Sequence, residues 1–268
     1  MKKISFSIII FVVINLFISC KKNNDVPVSP TDNYIQLAEG YASGAATKVA
    51  VFASVSAFTG YNQLYIALYD SITNNYVDNA KITLSPLMNM PGMSHAAPYE
   101  NPTATRASDH LFPCSISFLM ASTWDVTVNV TNLSSNKSGA ATLNINVQDP
   151  STAQQISFTS LIDNTTTYFV DFIPPAKPVV GLNDIEFVVY KKQSMMQFPA
   201  DSSLTLTFEP EMPAMGHSSP NNVQPTHAGN GHYKGKVNFT MTGLWRLNMM
   251  FNSGSAVADS THYFDFSF

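Results

Sequence analysis

Two hexapeptides carry the residue types best suited to chemistry, Met90-Pro91-Gly92-Met93-Ser94-His95 and Met212-Pro213-Ala214-Met215-Gly216-His217. Each sets two thioethers and one imidazole within a short segment that proline bends. Thioether sulfur is a soft, neutral ligand suited to Cu(I), and imidazole suits either oxidation state of copper. A thioether has no proton to lose, unlike a thiol, so such a site survives in an oxidising compartment. A further histidine, His110 or His232, follows fifteen residues after the first in both segments. A strand-to-strand return would bring it back to the loop. The expected sets are then Met90, Met93, His95 and His110 in one copy, and Met212, Met215, His217 and His232 in the other. The competing reading is structural, because methionine is a common core filler and a Met-rich loop can simply close the end of a sandwich.

The two segments belong to a duplication. Sliding the chain on itself by about 121 residues places Gly60 on Gly181, Asn62 on Asn183 and Tyr69 on Tyr190. With one residue inserted the hexapeptides coincide, as do Pro98 with Pro220 and His110 with His232. Without it again, Phe118, Met120 and Trp124 meet Phe239, Met241 and Trp245, which pairs the chain's 2 tryptophans. His227 meets Thr105 and reads as a loop residue, while His262 reads as structural or exposed. Met195-Met196 and Met249-Met250 read as core or strand residues.

The elements that must position these loops are strands. Trp124, Val126, Val128 and Val130 alternate with Asp125, Thr127 and Asn129, the pattern of a half-buried strand. Phe264, Phe266 and Phe268 likewise share one face of the last strand. Further strands are expected at Lys48–Val55, Leu64–Tyr69, Lys81–Leu84, Ser115–Leu119, Ala141–Val147, Ile185–Tyr190, Leu204–Phe208, Lys236–Met241 and Trp245–Phe251. No stretch keeps a helical apolar period over three turns. The reading is all-β, with two tandem immunoglobulin-like antiparallel β-sandwich domains at 34–148 and 155–268 joined through 149–154.

The first residues read as an address. Lys2 and Lys3 precede a charge-free run from Ile4 to Ser19, whose length of about 24 Å falls short of the ~30 Å hydrocarbon core. Residues 1–19 therefore read as a secretory signal rather than a transmembrane helix. Phe17-Ile18-Ser19-Cys20 resembles a bacterial lipobox, with Phe17 where leucine is usual. Cys20 is the expected lipidation site, residues 20–33 a polar tether, and the membrane a partner through the lipid anchor. Lys21 stands where an inner-membrane retention aspartate would, so the expected location is the cell envelope, with the outer membrane favoured. With Cys20 lipidated, Cys114 has no disulfide partner and reads as a small buried hydrophobe, a soft-metal ligand being the alternative.

Composition excludes several functions. Only 12% of residues are charged and the net charge is −4, so nothing argues for nucleic acid. No Gly-x-Ser-x-Gly, glycine-rich phosphate loop, His-Glu-x-x-His or Cys-x-x-Cys occurs. Soft thioethers also suit holding or transferring a metal better than activating water. The chain reads as a binder and not as an enzyme.

Met212–His217, Gly231-His232-Tyr233 and Met241-Thr242-Gly243-Leu244-Trp245 together resemble YtkA-like domains, relatives of the FixH group. The first copy keeps Met90–His95, Met120 and Trp124, but has Ser122 for the glycine and Leu111 for the tyrosine. The resemblance implies an immunoglobulin-like fold and copper handling in the cell envelope, beside copper efflux or oxidase-assembly components. The alternative function is a tandem envelope module that binds a protein or glycan partner without metal.

Overall fold

A computed structural model describes residues 29–268. The expected signal peptide, Cys20 and most of the tether lie outside the described residues. Alternating apolar residues build strands throughout, and no α-helix occurs among the described residues. The first half contains β1 (Ile35–Ala42), β2 (Thr47–Ala53), β3 (Gly60–Asp70), β4 (Ala80–Met90), β5 (Met93–Ala96), β6 (Tyr99–Glu100), β7 (Phe112–Phe118), β8 (Ser122–Asn132) and β9 (Lys137–Val147). They form one sheet in the order β1-β2-β3-β7-β6 and another in the order β5-β4-β8-β9. The chain changes sheet between β3 and β4, β5 and β6, and again β7 and β8. That is the Greek key of an immunoglobulin-like sandwich.

The second half repeats this path with β10 (Gln155–Thr159), β11 (Thr167–Ile173), β12 (Gly181–Lys191), β13 (Thr205–Met212), β14 (His217–Ser218), β15 (Val223–Gly229), β16 (His232–Phe239), β17 (Leu244–Ser253), β18 (Ala256–Asp259) and β19 (Tyr263–Ser267). Its sheets run β10-β11-β12-β16-β15 and β14-β13-β17-β18, with β19 also paired to β17. The last strand position is thus split. Asp259 turns the corner by accepting hydrogen bonds from the Thr261 hydroxyl at 2.9 Å and the His262 backbone N–H at 3.3 Å.

Each sandwich closes over its own core, with Trp124, Phe112 and Phe118 fully buried in the first and Trp245, Phe172 and Phe239 in the second. The duplication reaches individual bonds. Asn62 Nδ2 donates to the carbonyls of Phe58 (2.7 Å) and Gly60 (2.8 Å), while its Oδ1 accepts from the Phe58 N–H (3.0 Å). Asn183 makes the same three bonds to Val179 and Gly181, each at 2.8 Å. Both asparagines are buried, and each holds an inter-strand turn ending in a glycine of positive φ, Gly60 (123°) or Gly181 (119°). Removing one side chain orphans buried backbone groups, so Asn62→Ala and Asn183→Ala should each cost about 1–3 kcal/mol. Urea unfolding measures this, and a loss under about 0.5 kcal/mol would show that the turns hold without them.

Candidate metal-binding ends and a charged bridge between the sandwiches

In the second sandwich Met212 and His217 are cross-strand partners closing the β13–β14 hairpin. Gly216 (φ 63°) ends the intervening turn, and both Met215 and Gly216 N–H groups donate to the Met212 carbonyl, at 3.0 and 2.9 Å. Met212 faces the core, and its methyl lies 3.0 Å from where a Cβ on Gly243 would stand. The His217 ring sits edge-on to buried Trp245, centroids 5.9 Å apart. Its Nδ1 is 3.2 Å from the Ser218 carbonyl. A carbonyl only accepts, so Nδ1 carries the proton and Nε2 keeps its lone pair for a ligand. Trp245 Nε1 donates to the Met241 carbonyl at 3.0 Å, which brings a third methionine to this end. Met215 and Met241 are both exposed.

The first sandwich uses the same motif in a different register. Its turn glycine, Gly92 (φ 83°), comes two residues after Met90, so the hairpin closes tightly with Met90 opposite Met93. His95 then faces Met88 rather than Met90. Pro86 opposite Val126 corresponds to Pro210 opposite Leu247, which makes Met88 the counterpart of Met212. His95 again lies edge-on to its tryptophan, 5.1 Å from Trp124, with Nδ1 3.1 Å from the Ala96 carbonyl. Here the histidine is buried, while Met93 and Met120 of the same end are exposed. The Ala96 N–H donates to the Met195 carbonyl of the second sandwich at 2.9 Å, and His95 and Met88 are buried. Met195 and Met196, expected as core or strand residues, instead lie in a loop at this junction, with Met196 exposed.

The second histidines do not join either site. His110 hydrogen-bonds Asp78 at 2.8 Å and stacks on Tyr76 at 4.1 Å, just before β4 begins. The Met90 turn lies beyond β4, about 35 Å away along eleven strand residues. His232 opens β16 opposite Val188, a strand's length from the turn after Phe239. The expected Met₂His₂ sets therefore do not assemble, because the strand after each histidine carries the chain to the opposite end of the sandwich. Among the described residues, no three His, Cys, Asp or Glu side chains converge on a metal position either.

His232 instead bridges the sandwiches. Its Nδ1 lies 2.6 Å from Glu186 Oε1, and its Nε2 lies 3.0 Å from Oε1 of Glu100, in the first sandwich. Both ring nitrogens thus donate to carboxylates, which requires the imidazolium. Burial opposes that charge, but the hydrogen bonds to Glu100 and Glu186 prevail and raise the pKa to about 9. Glu100 also accepts from the Tyr61 hydroxyl at 3.1 Å and the Ser115 hydroxyl at 3.0 Å. Beside this bridge the Ser117 hydroxyl donates to buried Asp171, whose other oxygen accepts from Gln155 Nε2 at 2.7 Å. Burial, only partly offset by these bonds, raises Asp171 to about 7. Cys114 is a free, buried thiol in β7, pushed up to about 12 by burial.

Both raised groups favour the folded state at low pH. The His232 contribution is complete below its ordinary 6.5 and disappears as pH rises through about 9. Asp171 works the same way between its ordinary 3.8 and about 7. The melting temperature should therefore fall by on the order of 5 °C between pH 6.5 and 9.5, and His232→Gln should flatten that limb. A melting temperature that does not move over this range would remove the bridge as a stabilising contact.

Residues 162–250 match the family model described as YtkA-like. No curated protein matches the chain. Among solved structures, the chain is similar to domains 5–6 of the S-layer protein SbsC, with 13% identity over 88% of this chain and 98% of that one, at a TM-score of 0.29. It is also similar to the Escherichia coli adhesin FdeC, at 14% identity over 85% of this chain and 65% of that one, with a TM-score of 0.27. A third, InvD of Yersinia pseudotuberculosis, gives 13% identity over 88% and 57%, with a TM-score of 0.25. The matched stretch 162–250 lies within the second sandwich and contains Met212, Met215, His217, His232 and Trp245, so the likeness to YtkA-like domains covers that sandwich.

Proposed function

We propose that this is a lipid-anchored cell-envelope protein that holds Cu(I) at the open end of its second sandwich, for sequestration or hand-over. The observation that carries the reading is the Met–His–Trp row, built twice on the same strands, whose histidine is partly exposed in the second copy and buried in the first. Met212, Met215 and His217 supply the donors there, with Met241 as a further thioether on the neighbouring turn. Such a set suits Cu(I) over harder ions, because it offers soft neutral ligands and no carboxylate. Trp245 and the Ser218 carbonyl fix the imidazole, so its free nitrogen is presented without a search over ring rotamers. In the first copy the counterpart His95 is buried under the second sandwich, which argues for one site per chain. The leader and Cys20 support the envelope location, and transfer to copper efflux or oxidase-assembly components follows from the family resemblance.

Anaerobic titration of the chain with Cu(I) against a competing chelator tests the site. One tight equivalent is expected, weakened at least about tenfold by His217→Ala, Met215→Ala or Met212→Leu and unchanged by His95→Ala. No binding, or binding indifferent to the first three changes, would overturn it. Palmitate labelling in a bacterial host tests the anchor: the label should vanish in Cys20→Ser, and equal labelling of both forms would exclude Cys20.

A further inference from the structure

The two sandwiches meet through an apolar cluster in which Tyr61 and Leu119 of the first pack on Val188, Tyr190 and Phe198 of the second, and a cleft of ≈ 830 Å³ opens beside it. That volume falls within the range of small-ligand sites, roughly 300–1,000 Å³. Its walls combine aromatic rings with planar amides. Tyr61, Tyr99 and Asn101 come from the first sandwich, and Tyr190, Gln193 and Phe198 from the second. Tyr99 is an exposed ring at the cleft, on the short edge strand β6. Tyr190 is 3% exposed, and its hydroxyl is a buried polar atom with no hydrogen-bond partner. Asn101 accepts the Leu84 N–H through Oδ1 at 2.7 Å, which leaves its amide donors free to bond elsewhere.

The charge of the walls narrows the ligand. No lysine or arginine lines the cleft, so an anionic group would find no counter-ion. The lining carboxylate, Glu100, is already shared among His232, Tyr61 and Ser115, so it offers little to a cation. What remains is a set of hydroxyl and amide groups beside flat apolar rings. Neutral sugars have that complement, since their ring C–H faces pack on aromatic side chains and their hydroxyls both donate and accept. A purely apolar ligand would leave the Tyr190 hydroxyl and the amides unpaired.

We infer that the cleft between the sandwiches is a binding site for a neutral oligosaccharide, with Tyr99 as the stacking platform and the Tyr190 hydroxyl as a buried hydrogen-bonding group. The site is independent of the metal reading, because it lies at the junction and uses none of Met212, Met215 or His217.

The test is calorimetric titration of the full chain, kept in a detergent that carries no sugar. The probes are neutral gluco-, manno- and N-acetylglucosamine oligosaccharides, with polygalacturonate as an anionic comparison and an unstructured neutral peptide mixture as a third arm. At least one neutral oligosaccharide should bind, at least tenfold more weakly to Tyr99→Ala and Gln193→Ala. Tyr190→Phe should weaken binding while leaving the melting temperature equal or higher, since it removes only the orphaned hydroxyl. That pairing separates a ligand contact from a folding defect. Absence of binding by every neutral sugar at about 10 mM, a site that prefers polygalacturonate, or binding indifferent to all three variants would each overturn the inference. Peptide binding that is lost in Tyr99→Ala would reassign the cleft to protein recognition.

Discussion

The imidazolium of His232, held between Glu100 and Glu186, is the contact on which the arrangement of this molecule depends. It joins a strand of the second sandwich to a strand of the first, beside the apolar cluster in which Tyr61 and Leu119 meet Val188, Tyr190 and Phe198. The buried Asp171–Ser117 pair and Gln155 lie beside it and fix the direction in which the second sandwich leaves the first. The loop containing Met195 meets β5 beside buried His95, and the cleft opens alongside. A single cation shared by two carboxylates suits such a junction, because it is directional where a hydrophobic contact is not.

Duplication followed by a shift of one glycine explains why two nearly identical motifs give unlike geometry. Gly92 follows the proline directly and produces a two-residue turn, whereas Gly216 closes a four-residue one. The shorter turn lengthens the hairpin by two cross-strand pairs, Asn89 with Ser94 and Met90 with Met93, and Met88 takes the place that Met212 occupies in the other copy. The tryptophan and the histidine keep their places throughout. The inner Met–His–Trp row is thus the invariant of the duplication, while the methionines of the turn vary in position around it.

Much of the fold was legible because alternation survives in half-buried strands, as in Trp124–Val130, and because landmark residues repeat at constant spacing. Less visible was β1, a mixed polar strand whose pairing partner β2 supplies most of the apolar signal. Asp171 was readable in principle, as a carboxylate inside the apolar run of β11, and such a residue has to find donors on folding. The site was only half readable. Spacing put methionine and histidine on one hairpin, but could not say which methionine faces which histidine, since that is set by turn type. His110 and His232 were misplaced for a simpler reason. Each begins a strand that ends at the tryptophan turn beside the Met–Pro loop, so each must lie at the far end. Tyr190 and the cleft carry no sequence signal, because they exist only where two sandwiches meet.

The split of the final strand position at Asp259 has a consequence for molecules crowded together. An edge strand of ten residues or so, running straight and unpaired, is a template on which another copy can add a strand. In the second sandwich that edge is delivered as two short pieces, β18 and β19, with a hydrogen-bonded corner between them. A neighbouring chain could align with one piece but would lose register at the corner. The bend therefore acts as a guard against edge-to-edge polymerisation.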